Sequence, residues 1–287
     1  MDIGIEKSAK LDPQVKRRNF LKGSVAAGFA LSVQPVTAQT VITTDTNGLT
    51  ADMVEVKASD KPIPAYRAYP EGKAGAPVVI VIQEIFGVHE HIKDVCRRVA
   101  KLGYYAIAPD LYFRQGDATK VTDMSLLIKD IVSKVPDAQV MSDIDASVAF
   151  AKAEGGLTDR LAITGFCWGG RIVWLYSEHS KAVKAGVAWY GRLVGDTDPL
   201  HPKNPIDLVA NLNCPVLGLY GGADTGIPPA TTEQMKKAAD AAGKKTEFVV
   251  YPDTPHAFNA DYRPSYREGP AKDGWKRMQE WFKANGV

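Results

Sequence analysis

Apolar positions fall along this chain in two alternating patterns. Val78-Val79-Ile80-Val81-Ile82 is apolar at every position, as expected of a strand buried on both faces of a parallel sheet. Similar runs recur at residues 105–108, 161–164, 185–189, 216–220 and 248–251. Helical periodicity lies between them. Val140, Ile144 and Val148 stack at i, i+4 and i+8 behind Pro136-Asp137, a helix start signal. A last helix opens at Gly269-Pro270 and puts Trp275, Met278 and Phe282 on one stripe. Ahead of the first buried run, residues 53–58 and 63–69 alternate and fit an antiparallel pair at a sheet edge. The pattern predicts one α/β domain over residues 53–287. Its sheet is mostly parallel and doubly wound, with an antiparallel N-terminal edge.

Composition narrows the partners without changing that picture. A chain of 287 residues with 45% hydrophobic and 24% charged positions is not disordered, collagen-like or membrane-spanning. The formal net charge is +2, and residues 1–38 supply it with six basic residues against three acids. The body beyond them is nearly neutral, with no basic stripe interleaved with aromatics. Neither a nucleic acid nor a stable membrane partner is expected.

Residues 1–38 read as an export signal. Lys16-Arg17-Arg18-Asn19-Phe20-Leu21-Lys22 resembles the twin-arginine motif, with Lys where Ser or Thr is usual before the pair. A mildly apolar stretch from Gly23 to Val33 follows, too short to span a bilayer as a structural helix. Val36-Thr37-Ala38 then offers the small residues that a signal peptidase accepts. The expectation is export by the twin-arginine translocation machinery to a periplasmic or extracellular location, with a Thr-rich linker over 39–52. Three cysteines are too few for a disulfide framework, and Cys96 and Cys214 sit in apolar contexts that suit packing.

In such a fold the active site lies at the carboxyl ends of the parallel strands. The stretch Gly165-Phe166-Cys167-Trp168-Gly169-Gly170 follows one of them and leads into a helix. A nucleophile on so sharp a turn crowds its neighbours, and glycines on either side remove the offending Cβ atoms. The thiol of Cys167 then stands at a helix N-terminus, where the helix dipole favours thiolate. Of five histidines, His256 alone follows a late buried strand. Asp224 follows the run 216–220 and completes the chain order nucleophile, acid, histidine. Asp253 is a rival acid, but three residues from the histidine it is too constrained to orient it. His89 and His91 have i, i+2 spacing, which puts them on different helical faces, so no metal pair is expected there. His179 and His201 read as solvated. No metal or cofactor is implied.

With these residues in view, the sequence resembles the dienelactone hydrolase family of α/β-hydrolases. The matching stretches are Gln83-Glu84-Ile85-Phe86-Gly87, Pro109-Asp110-Leu111-Tyr112 with Arg114-Gln115, the elbow at 165–170, Trp189-Tyr190-Gly191, Asp224, and His256-Ala257-Phe258. The resemblance implies an α/β-hydrolase fold and a Cys167, Asp224, His256 triad. It also implies an oxyanion hole from the backbone N–H groups of Ile85 and Trp168. Glu84 matches a glutamate that meets the resting nucleophile and moves when substrate binds. Arg114 matches one of two arginines that hold a substrate carboxylate, and Tyr190 is expected beside the substrate. At the second arginine position this chain has Ala260, with Arg263 and Arg192 as possible replacements. The expected substrate is therefore a small ester, lactone or thioester, an anionic one with a single acidic group included. Acyl transfer on the same triad, a non-catalytic ligand-binding role and redox sensing by Cys167 are the competing readings.

Overall fold

The computed structural model describes residues 42–287, and the reading of 1–38 as an export signal lies outside them. Eight strands form one sheet: β1 (Leu49–Lys57), β2 (Pro62–Pro70), β3 (Pro77–Ile82), β4 (Tyr105–Pro109), β5 (Leu157–Phe166), β6 (Val183–Trp189), β7 (Val216–Gly221) and β8 (Thr246–Tyr251). Their order is β1-β2-β4-β3-β5-β6-β7-β8. β1 and β2 run antiparallel, and β2 joins β4 antiparallel. From β4 through β3 to β8 every pairing is parallel. This is the α/β-hydrolase-like fold expected, antiparallel at its N-terminal edge.

β3 shows why an unbroken apolar run was needed. All six of its residues are buried. Val78, Ile80 and Ile82 enter one core, and Val79 and Val81 enter the other. One core is closed by α1 (Glu90–Lys101) and α5 (Glu268–Ala284), through Ile92, Val95, Val99, Met278 and Phe282. The other is closed by α2 (Asp137–Ala153), α3 (Trp168–His179) and α4 (Pro229–Ala241), through Val140, Ile144, Ile172 and Met235. Each such aliphatic side chain contributes roughly 1.5–3 kcal/mol by leaving water.

Two boundaries differ from the sequence reading. β1 starts at Leu49, so residues 49–52 are strand where a linker was expected. Leu49 and Ala51 alternate onto the core, which is what recruits them. β8 was read as buried on both faces, but as the edge strand it is half-buried, and Val250 is exposed.

The residues before β1 are also fastened. The Ile42 N–H donates to Asp261 Oδ2 at 3.2 Å, and the Thr44 N–H donates to Asp94 Oδ1 on α1. Arg98 spans Asp94, Asp261 and the Ile42 carbonyl. Residues 42–47 thus form a strap across α1 onto the segment that follows His256.

Candidate active site

The turn after β5 places Cys167 at φ 57° and ψ −114°, outside the usual regions for a residue with a side chain. Gly165 and Gly169 make this conformation possible. A Cβ on Gly165 would lie 2.5 Å from the Gly169 carbonyl oxygen, and one on Gly169 would lie 2.4 Å from that of Gln83. Gly170 and Gly191 allow a second close approach, where α3 meets the turn after β6. A Cβ on Gly170 would sit 2.4 Å from the Trp189 carbonyl oxygen. The Cys167 N–H donates to that same carbonyl at 3.0 Å and ties the elbow to β6.

The turns after β7 and β8 are joined in the same way. The Gly222 N–H donates to Tyr251 O at 2.7 Å, and the Ala223 N–H donates to Thr254 O at 3.0 Å. That lacing brings Asp224 to His256. Asp224 Oδ1 accepts the N–H groups of Gly226 and Ile227, both at 2.9 Å. Its Oδ2 lies 2.6 Å from His256 Nδ1. His256 Nε2 lies 3.1 Å from Cys167 Sγ. A carboxylate on Nδ1 fixes the ring so that Nε2 faces the sulfur. All three residues are buried, with Cys167 6% exposed. Burial alone would push the imidazole down, but the adjacent Cys167 sulfur and the Asp224 carboxylate outweigh it and raise His256 to about 10. That is the direction in which the protonated imidazole is favoured. Asp253, the rival acid, is exposed at φ 51° and takes no part.

Strain concentrates here. Cys167, Tyr190, Asp253 and Ala257 are the non-glycine residues at positive φ among the described residues. Cys167, Tyr190 and Ala257 belong to the site itself, a distribution typical of functional centres. Trp168 is the first residue of α3, so its N–H has no intrahelical acceptor. Ile85 is buried in the tight Glu84–Gly87 turn beyond β3. Tyr190 is fully buried, its ring 5.1 Å from that of His256 and edge-on to it. It packs against the histidine.

Glu84 differs most from its expected place. The thiol it was expected to meet is engaged by His256. Glu84 Oε2 accepts the Tyr262 hydroxyl at 2.5 Å, and His89 Nε2 lies 3.7 Å from the same oxygen. Burial works against its charge, but His89, Arg263 and His91 hold the carboxyl down at about 2. The physical reason is that a buried carboxylate needs strong donors, and a phenol O–H is a better one than a thiol S–H.

Arg114 also departs from expectation. Its guanidinium is committed to Asp60 and Asp143, with a 2.6 Å bond to Asp143 Oδ2 and a 2.8 Å bond to Asp60 Oδ2. Asp143 lies on the buried face of α2, so the arginine ties that helix to the segment after β4. Arg192 is exposed among Arg171, Asp137, Asp196 and Asp198. Of Arg192 and Arg263, it is Arg263 that lies near Glu84, Tyr262 and Phe86. It is 6% exposed, stacks 4.6 Å over Phe86 and is raised by the charges of Glu84, Tyr262 and Cys167 against the cost of burial.

His89 and His91 come together despite their spacing. His89 precedes α1 in an extended conformation, so helical periodicity does not separate the pair, and their rings stack 6.0 Å apart. No group of three or more residues fit to hold a metal ion occurs among the described residues. His201 is not solvated as read, since it bridges Asp198 and the Val135 carbonyl. His179 is exposed and pairs with Asp145. Cys96 and Cys214 are buried free thiols, both pushed up by burial. Tyr262 went unread in the sequence, because its importance comes from reaching Glu84 across 178 residues of chain.

Comparison with known proteins identifies a family. The model of the "Dienelactone hydrolase family" matches residues 63–286. A protein of Methylorubrum extorquens, named as a candidate carboxymethylenebutenolidase, is 64% identical over 274 residues, covering 95% of this chain and 94% of the relative. One from Salmonella typhimurium, named likewise, is 54% identical over 261 residues, covering 91% and 96%. The crystal structure of a candidate dienelactone hydrolase from Klebsiella pneumoniae superposes with a TM-score of 0.81 at 54% identity. It covers 82% of this chain and 98% of that one.

Proposed function

Because this chain belongs to the dienelactone hydrolase family, we propose that it hydrolyses small carboxylic esters or lactones, with Cys167 as nucleophile, His256 as base and acid, and Asp224 as the residue that orients the histidine. The observation that carries this reading is the continuous path Cys167 Sγ, His256 Nε2, His256 Nδ1, Asp224 Oδ2, with steps of 3.1 and 2.6 Å, starting from a strained turn at a helix N-terminus.

In the first half-reaction the thiolate attacks the carbonyl carbon, and the carbonyl π electrons move to oxygen. The N–H groups of Ile85 and Trp168 hold that oxyanion. When the intermediate collapses, the alkoxide leaves with the proton from His256 Nε2 and an acyl thioester remains on Cys167. In the second half-reaction His256 takes a proton from water, and the hydroxide attacks the thioester. The acid departs, and the sulfur returns as thiolate beside the reprotonated imidazole. For a lactone, leaving group and acyl group are one molecule, so the ring opens to a hydroxy acid. Arg263 supplies positive charge for an acidic group on the substrate, since Arg114 is already occupied by Asp60 and Asp143.

The test is turnover of p-nitrophenyl acetate, a dienelactone and a neutral lactone by residues 39–287, beside Cys167→Ala and His256→Ala. Turnover lost in both variants is expected. Wild-type rates in either variant would overturn the proposed chemistry.

We also propose export through the twin-arginine route. Processing near Gln39 and recovery in the periplasmic fraction are expected, and both should disappear when Arg17 and Arg18 are replaced by Lys.

A further inference from the structure

We propose a second ligand site, a pocket beside the C-terminal end of α3 that takes a primary ammonium with an apolar body, its charge set against Glu178. The site is separate from Cys167 and does not rest on the chemistry proposed there.

The pocket lies between α3, the start of α2 and the segment 202–211, and has a volume of about 230 Å³. Among the residues that line it, Leu175 and Glu178 are buried, Met141 and Leu208 half-buried, and Lys203 and Asn211 exposed, so it deepens towards α3. Glu178 stands three turns along α3 from Cys167, about 16 Å by helical rise.

Glu178 is the anomaly in this pocket. It is 6% exposed, and neither of its carboxyl oxygens has a hydrogen-bond partner among the described residues. The charged groups around it are committed elsewhere. Arg171, on the same face of α3, gives its two terminal nitrogens to Asp137 at 2.7 and 2.8 Å, and one of them also to the Lys203 carbonyl. Asp207 accepts the Asn204 N–H at 2.8 Å. His179 turns to Asp145, and Lys203 makes no ion pair with Glu178. A buried carboxyl left in this way costs free energy that a donor in the pocket would return.

The pocket therefore lacks donors and offers hydrocarbon. An ammonium brings three N–H donors, and Leu175, Met141 and Leu208 receive the apolar body. Arg171 does not repel such a cation, because Asp137 already balances it, whereas an anion would meet both Glu178 and Asp207. A cavity of about 150 Å³ accepts a benzene ring, so this one has room for a ring with an aminomethyl arm. Burial pushes the Glu178 carboxyl up to about 9, against the pull of Arg171 and with a push from Asp207. Near neutrality the unliganded pocket thus holds a protonated acid. Binding is an exchange: the ammonium enters, the carboxyl O–H bond breaks, its electron pair stays on the oxygen, and the proton leaves to solvent.

The experiment is calorimetric titration of the full chain with benzylamine at pH 6, 7 and 8, where the amine stays protonated. Benzyl alcohol serves as the uncharged analogue. Binding of benzylamine should tighten about tenfold per pH unit and release about one proton, because the acid must ionise first. Glu178→Gln should weaken it at least tenfold at pH 8 and flatten the pH dependence. Ala138→Leu, which adds bulk to the lining, should weaken both ligands. No binding, binding that is level across pH 6–8, or equal affinity in Glu178→Gln overturns the proposal. So does benzyl alcohol binding as tightly as benzylamine at pH 8, since the pocket would then be an apolar cavity only. If Glu178→Gln fails to fold, the pH slope and the proton release of wild type decide.

Discussion

Asp224 and Glu84 are both buried acids of the candidate site, and they are fastened by different means. One oxygen of Asp224 is held by two backbone N–H groups, and the other meets His256. Moving it would unravel the turn beyond β7. Glu84 is held by side chains, through the Tyr262 hydroxyl and the charges of His89 and Arg263. A carboxylate fixed by backbone orients a partner through every turnover. One fixed by side chains is released by changing a single neighbour.

The largest effects should fall on the backbone-fastened half. Cys167→Ala and His256→Ala should each lower the ester kcat by roughly 10⁴-fold or more with the circular dichroism unchanged, and Asp224→Asn should follow at about 10³- to 10⁴-fold. A residual rate within tenfold of wild type for Asp224→Asn would mean that the two acids are less distinct than their attachments indicate.

Next comes the backbone itself. Gly170→Ala must move the Trp189 carbonyl, and a loss of about 3 kcal/mol is expected by urea denaturation. Tolerance of that methyl would show that the elbow yields where it is drawn as fixed.

A pH series sharpens the contrast further. His256 is raised to about 10, so its contribution to stability is fully present below the unfolded value near 6.5 and is lost as pH rises through about 10. Glu84 is lowered to about 2, so its contribution is present above its ordinary value of about 4.5 and is lost as pH falls towards 2. Denaturation midpoints of His256→Gln should therefore converge with wild type at the alkaline end, and those of Glu84→Gln at the acid end.

The smallest effect expected is on substrate choice by Arg114→Gln. The preference for an anionic over a neutral ester should change by less than about twofold, because that guanidinium is spent on Asp60 and Asp143. A tenfold drop would return Arg114 to the substrate.

The two acids were also unequally legible in the sequence. Asp224 could be found from chain order, because the turns beyond successive parallel strands must lie side by side. The elbow glycines were legible for a similar reason, since the clashes they avoid are local. The surroundings of Glu84 were not. Tyr262, His89 and Arg263 converge on it through loop geometry that no periodicity encodes. His89 escaped the helical rule by standing one residue outside α1. Arg114 looked free because Asp60 lies 54 residues earlier and Asp143 is 29 residues later on another element. The start of β1 was missed because Leu49–Asp52 follows directly on the Thr-rich polar run and was read as its continuation, although these residues already alternate.

The strap has a consequence for the order of events during synthesis. Ile42 is made early, but its acceptor Asp261 emerges 219 residues later. At 5–20 residues per second that gap is tens of seconds. Through that interval β1 and β2 can pair locally and the strap can reach Asp94 and Arg98 on α1, whereas its anchor on Asp261 is missing. Closure of so long a loop belongs among the late, slow contacts of folding. The segment carrying His256 and Tyr262 is therefore fastened last, when both ends of the chain are present. An unfinished chain can hold much of the sheet and yet lack the fastened segment beside Glu84.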